Sequence, residues 1–451
     1  MKKHLYLITL LSVMLLGACG CEKQPQVNPL PEPDMSLIKS SVPVTNEWIY
    51  SGKPEITLHV ENPNEASVKV PVRIRITTDK KQEVENITDS ITIAGGAKKD
   101  FVFSTTSTLE PGFYRAACYV NGKSARSFIF GVDPFQIVSA PDKQPDYDTF
   151  WAAAKEQLRN IDMQANLIEL PNKSSDKRKV YMVELRSVPD GLTGEPVIVR
   201  GYYCEPQDGE KHPVIMHFYG YDYQNVKTKV ECPSGGNSNY AEFYLSHRGQ
   251  YINNRPESSR EPDGLGDLTN IYGDWFSYHF GDKDSYYYRG AFMDVVRAVD
   301  FMGSRETSDM THLFAEGSSQ GGALCYAAAA LSNYPFTAIA ANVAFLGDYA
   351  DAIDIGGLAM ETAKKCQGTM SREEMLAFLS YFDTKNLATR ISCAVMASSG
   401  LQDDVCPPRT NVVPFNNLQT PEADKKYMWG PEMGHDYPKG WAPIAFFRER
   451  M

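Results

Sequence analysis

The chain has 451 residues, 42% of them hydrophobic, with 45 Lys and Arg against 56 Asp and Glu for a formal net charge of −11. That length and apolar content suffice for two globular domains, and the acidic balance excludes nucleic acid and other polyanions as natural partners. The nine cysteines are irregularly spaced, so they form neither a disulfide framework nor a metal pattern; several fall in apolar contexts and read as buried thiols, with room for one bridge that the sequence does not place.

Lys2 and Lys3 precede an apolar run over residues 5–16, too short to span a bilayer and of signal-peptide character. It closes in Leu16-Gly17-Ala18-Cys19, which resembles a bacterial lipoprotein cleavage site. The expectation is a signal peptide over 1–18 and a diacylated Cys19 that anchors the mature chain to a membrane of the bacterial cell envelope. Plain secretory cleavage nearby is the alternative. Residues 19–35, with Pro25, Pro29, Pro31 and Pro33, read as a stiff polar tether.

Over residues 36–136 the hydrophobic period is two, as in Val72-Arg73-Ile74-Arg75-Ile76, with further short runs at 55–60, 90–93, 100–103, 113–120 and 127–130. Short strands separated by turn residues, without a helical period, predict an immunoglobulin-like β-sandwich. Nothing in it carries evident chemistry. Trp48, Tyr50 and Tyr114 read as core or edge residues, with sugar binding as the minority reading.

A Pro- and Asp-containing link near 138–148 leads into the second domain, 137–451, where a helix around 150–158 is followed by strand candidates at 180–185, 197–203 and 214–218. Phe292, Val295, Val296 and Val299 recur at helical spacing. Alternating strands and helices predict a mostly parallel sheet covered on both faces.

The apolar strand ending Leu313-Phe314-Ala315-Glu316 breaks at Gly317-Ser318-Ser319-Gln320-Gly321 and continues into an Ala-rich helix. Gly-x-Ser-x-Gly between strand and helix is the pattern of a nucleophile elbow, which makes Ser319 a candidate nucleophile. The motif alone is weak; the order of the acidic and basic residues downstream of it strengthens it. Asp403 stands after the strand candidate 393–397, with Asp404 as an equally acidic competitor, and His435 comes after the last strand candidate, 425–429, through a Gly-rich turn. Nucleophile, acid and base in this order suit an α/β-hydrolase. No His-Glu-x-x-His, no Cys-x-x-Cys and no clustered carboxylates appear, so neither metal nor cofactor is expected.

Tyr286-Tyr287-Tyr288-Arg289-Gly290, Gly317-Ser318-Ser319-Gln320-Gly321-Gly322, Tyr381-Phe382-Asp383-Thr384 and Gly400-Leu401-Gln402-Asp403 with Cys406-Pro407-Pro408 are together similar to the acetyl xylan esterase and cephalosporin-C deacetylase family of carbohydrate esterases. Phe218-Tyr219-Gly220-Tyr221 and Arg248-Gly249-Gln250 fit the same family, and the resemblance runs from about Pro141 to the C-terminus. It implies an α/β-hydrolase fold, Ser319 as nucleophile, His435 as general base, Asp403 as its orienting carboxylate, and the backbone N–H groups of Tyr221 and Gln320 as oxyanion hole. It further implies removal of O-acetyl groups from xylan-type oligosaccharides through an acyl-enzyme, and assembly as a homo-hexamer. The chain departs from the family at Ser318, where a glycine is usual, and at Tyr219, where a histidine is usual. Tyr219, Arg248 and Gln250 are expected near the substrate. Two other readings remain open: an esterase for another O-acylated sugar or small acyl ester, and a non-catalytic glycan-binding surface lipoprotein.

Overall fold

The computed structural model describes residues 31–191, 194–221, 230–233, 239–253 and 272–451. The signal peptide, Cys19 and most of the tether lie outside the described residues. Among those described, no helix is long and apolar enough to cross a membrane.

The N-terminal region consists of strands β1 (Lys39–Ser41), β2 (Ile49–Tyr50), β3 (Glu55–Glu61), β4 (Val68–Thr78), β5 (Glu83–Ile93), β6 (Lys98–Ser104), β7 (Gly112–Val120) and β8 (Lys123–Val132). They form a three-stranded sheet, β1-β3-β6, and a five-stranded sheet, β2-β8-β7-β4-β5. Alternation decides which face each strand buries: Ile56, Leu58 and Val60 of β3 meet Val70, Val72 and Ile74 of β4 in one core, while Arg73 and Arg75 face outward. Trp48, Tyr50 and Tyr114 are all buried in that core. They are core residues, Trp48 packed with Phe128 and Tyr50 and Tyr114 with Phe130, which leaves the minority reading as a sugar platform without exposed rings.

The remaining elements in chain order are α1 (Tyr147–Arg159), β9 (Asn166–Glu169), β10 (Arg178–Pro189), β11 (Pro196–Pro206), β12 (His212–Phe218), β13 (Ala241–Ser246), α2 (Tyr287–Gly303), β14 (Ser308–Ser318), α3 (Gln320–Leu331), β15 (Ala338–Asn342), α4 (Tyr349–Ala352), α5 (Leu358–Cys366), α6 (Arg372–Ser380), α7 (Thr384–Ala388), β16 (Ala394–Gly400), α8 (Arg409–Asn416), β17 (Lys425–Gly430) and α9 (Pro443–Arg448). One nine-stranded sheet runs β17-β16-β15-β14-β12-β13-β11-β10-β9. The six strands from β13 to β17 are parallel, and β11, β10 and β9 extend the sheet antiparallel. β12 and β13 exchange places relative to chain order, and the chain leaves the carboxyl ends of β12, β14, β16 and β17 at one edge of the sheet. That edge is where open α/β folds bind ligands.

Both faces are covered. The strands bury Ala315 and Val395 with α2 and α3 on one side, and Ile215, Phe314 and Met396 with Phe446 and Phe447 of α9 on the other. The N-terminal core continues into the second domain, since Leu401, Val412 and Val413 belong to it. Phe135 packs against Phe415, Tyr427 and Trp429 at the same junction. The seven cysteines among the described residues are all free thiols, so the bridge left open by the sequence is not formed there.

Candidate active site

Strand β14 ends at Ser318 and α3 begins at Gln320, so Ser319 alone makes the turn, with φ 59° and ψ −122°. A non-glycine residue in that region costs roughly 1–3 kcal/mol and must be held by its surroundings. Here the Ser319 N–H donates to the Asn342 carbonyl at 2.9 Å, and the Ser319 carbonyl accepts from the N–H groups of Ala323 and Phe345 at 3.2 and 3.0 Å. Two glycines permit the turn by close approach: a Cβ on Gly317 would lie 2.4 Å from the Gly321 carbonyl oxygen, and one on Gly321 would lie 2.3 Å from that of Phe218.

The acid and base loops meet this turn from β16 and β17. Asp403 is buried, its Oδ1 accepting from the N–H groups of Val405 and Cys406 at 2.8 Å each, which leaves Oδ2 for His435 Nδ1 at 2.8 Å. Asp404 is exposed and is the wrong neighbour for the histidine. The two loops touch through backbone, since a Cβ on Gly400 would lie 2.1 Å from the Gly434 carbonyl oxygen. Ser318 Oγ accepts from Asn342 Nδ2 at 2.8 Å, and the same amide group donates to the Asp436 carbonyl at 3.2 Å. Ser318 thus ties the serine turn to the histidine loop. The Cys406 thiol lies beside the Ser319 hydroxyl, but burial pushes its pKa well up, so it is an inert neighbour rather than a second nucleophile.

Gln320 opens α3, and its side chain is fully buried in a chain of hydrogen bonds. Tyr288 donates to its Oε1 at 2.7 Å, and its Nε2 donates to His247 Nε2 at 2.8 Å. His247 must then carry its proton on Nδ1, which faces the Tyr287 hydroxyl at 2.9 Å, and that hydroxyl donates onward to the Arg248 carbonyl at 2.6 Å. Burial pushes His247 down to about 4, so the ring is neutral at physiological pH, as this pattern requires. The network holds Gln320 at the first turn of α3, where a helix lacks intrahelical partners for its N–H groups.

Two of the three residues expected near substrate are placed differently. Arg248 is 3% exposed, its guanidinium forked onto Asp294 at 2.8 and 2.7 Å. A substrate contact by Arg248 is corrected accordingly, because its donors face a buried carboxylate and the carbonyls of Val188 and Pro189. Gln250 is likewise fully buried, and its Nε2 donates to the Gly220 carbonyl at 3.2 Å. Substrate contact by Gln250 is corrected to an indirect one: in a trans peptide the carbonyl and the following N–H point oppositely, so this bond turns the Tyr221 N–H away from Gln250. Tyr219, just after β12, is half-buried against the cluster that contains Tyr202, Val230 and Ile252, with its phenol at the Glu231 backbone. The contact between Gly321 and the Phe218–Tyr219 backbone brings the segment carrying Tyr221 alongside Gln320, as a shared oxyanion site demands.

Sequence reasoning missed His247, Asp294, Asn342 and a second buried cluster. In that cluster His217 bonds Glu316 at 2.8 Å and Glu242 at 3.0 Å, while Arg178 pairs with the same Glu242. Hydrogen bonds to the two carboxylates raise His217 to about 9 against the opposing effect of burial. A usable signal existed for Asp294, a carboxylate among Phe292, Val295 and Val296 on an apolar helix face, which must be paired if buried. No group of three His, Cys, Asp or Glu able to hold a metal occurs among the described residues.

A mostly parallel sheet with one strand exchange and a strained serine between β14 and α3 defines an α/β-hydrolase. Residues 136–449 match the acetyl xylan esterase (AXE1) family model. The chain belongs to that family and is a carboxylic ester hydrolase. It is 26% identical over 316 residues to acetyl esterase Axe7A of Xylanibacter ruminicola, covering 69% of each protein. The fold is similar to acetyl xylan esterase 1 from Thermoanaerobacterium sp. JW/SL YS485, with 22% identity, a TM-score of 0.56, and coverage of 70% of this chain and 96% of that one. The acetyl xylan esterase from Paenibacillus sp. R4 gives 24% identity and a TM-score of 0.55, covering 70% of this chain and 98% of that one. The N-terminal β region lies outside the family match.

Proposed function

We propose that this enzyme removes O-acetyl groups from acetylated xylan-type oligosaccharides through an acyl-enzyme on Ser319. The observation that carries the reading is the 2.8 Å bond between His435 Nδ1 and the buried Asp403 carboxylate, on loops in backbone contact, delivered to the same sheet edge as a serine in an elbow conformation. Ser319 Oγ attacks the acetyl carbonyl while His435 takes its proton, and the Tyr221 and Gln320 N–H groups receive the oxyanion. His435 then hands the proton to the departing sugar hydroxyl. Water, deprotonated by the same histidine, releases acetate and restores the serine. The family match and the name of the Xylanibacter ruminicola relative support acetyl as the acyl group. A series of p-nitrophenyl esters tests this: kcat/KM should fall steeply from acetate to butyrate, and a preference for butyrate would overturn the acetyl assignment.

Cellular placement belongs to the same proposal. Leu16-Gly17-Ala18-Cys19 after a short apolar run supports a lipid anchor at Cys19 on the bacterial cell envelope. Incorporation of a tagged fatty acid that is lost in Cys19→Ser would support it, and unchanged incorporation would refute it.

A further inference from the structure

The N-terminal β region reaches the catalytic loops at an exposed ion pair, Arg126 to Glu432 at 2.8 Å, and, more closely, at Gln402. At Ile129 strand β8 has β7 on one side only, because its pairing with β2 begins at Gly131. An open strand edge presents an unpaired N–H and C=O. Gln402 fills that edge as a further strand would: its Oε1 accepts from the Ile129 N–H at 2.9 Å, and its Nε2 donates to the Ile129 carbonyl at 3.0 Å. The same Nε2 donates to the Pro431 carbonyl at 2.8 Å, and the Gln402 N–H donates to the Met433 carbonyl at 2.9 Å. Gln402 is therefore joined at once to the β region, to its chain neighbour Asp403, and to the turn that leads into His435. On its other side Leu401 is fully buried in the N-terminal core.

We propose that Gln402 is a positioning residue through which the β region holds the Asp403 loop and the His435 loop in register, so that the added domain is part of the catalytic apparatus rather than a spacer. This rests on the assignment of Asp403 and His435 to the hydrolytic site. The amide group is suited to the task because donor and acceptor are both needed at Ile129, and a carboxylate of the same length supplies only the acceptor.

The test compares Gln402→Met and Gln402→Glu with Lys80→Ala, which removes an ion pair across the same domain junction, to Asp351 of α4. For p-nitrophenyl acetate, kcat should fall about 10- to 100-fold in Gln402→Met, as expected for a small misplacement of reacting groups, with KM and melting temperature close to those of Lys80→Ala. Gln402→Glu should fall between parent and Gln402→Met. Unchanged kcat in either folded variant, or an equal loss in Lys80→Ala, overturns the proposal. Hydrogen exchange on the parent protein gives a second reading that needs no variant: segments 126–132 and 401–406 should open together. Opening of 126–132 with 401–406 still protected would also refute it. Undiminished activity in Ser319→Ala would instead defeat the hydrolytic assignment, which keeps the two failures distinct.

Discussion

Asp403 divides its carboxylate between two tasks: Oδ1 is held by the N–H groups of Val405 and Cys406, and Oδ2 faces His435 Nδ1 at 2.8 Å. The backbone fixes the carboxylate, and the carboxylate fixes the ring. Asp403→Asn should therefore lower kcat by about 10⁴-fold with the fold intact, because an amide can stabilise the wrong tautomer of the histidine. Asp404→Asn, at an exposed position, should stay within twofold of parent. Reversal of the two outcomes in steady-state kinetics would move the acid to Asp404.

Arg248 and Asp294 form a buried pair, and removing one partner leaves the other charge uncompensated. Arg248→Ala should cost about 3–5 kcal/mol of stability, read from the denaturant midpoint. In any folded fraction KM for a sugar acetate should change little. A variant of parental stability with a sharply raised KM would restore Arg248 as a substrate contact.

Gly321 approaches the Phe218 carbonyl so closely that an alanine methyl would lie 2.3 Å from it. Backbone on both sides leaves nothing flexible to yield. Gly321→Ala should destabilise by at least about 1–3 kcal/mol and lose activity beyond what the lost folded protein explains, since it separates Gln320 from the Tyr221 segment. Full activity in soluble protein would contradict the close approach.

His217, raised to about 9 between Glu242 and Glu316, titrates near 6.5 when unfolded. Its contribution is fully present below 6.5 and is lost as pH rises through about 9, a span worth at most about 3 kcal/mol. Melting temperature should decline over that window, and His217→Gln should flatten the decline while lowering stability at pH 6. A parent curve that is flat between pH 6.5 and 9 would show that the ring is not held charged.

The nucleophile was legible because the turn restricts side chains at positions two before and two after the serine, and Gly317 and Gly321 satisfy that restriction within a strand-to-helix context. The choice between Asp403 and Asp404 was not fixed by pattern, since both precede the same turn; burial separates them. Arg248 and Gln250 are expected near the substrate on resemblance alone, and the partners that bury them are remote in sequence. Asp294 lies 46 positions away, on α2. Strand β13 escaped notice because Glu242 interrupts its apolar run, and Arg178 on β10, His217 on β12 and the Tyr244 hydroxyl make that glutamate tolerable. The same distance hid Gln402, whose partner Ile129 is 273 residues earlier.

Acetate release from acetylated xylo-oligosaccharides, measured for the mature chain and for Ser319→Ala, decides whether Ser319 carries the deacetylation. Rapid release by the parent and a loss of at least about 10⁴-fold in the variant are expected. Equal release by both proteins, or none from a parent chain that binds the oligosaccharide, would contradict that role.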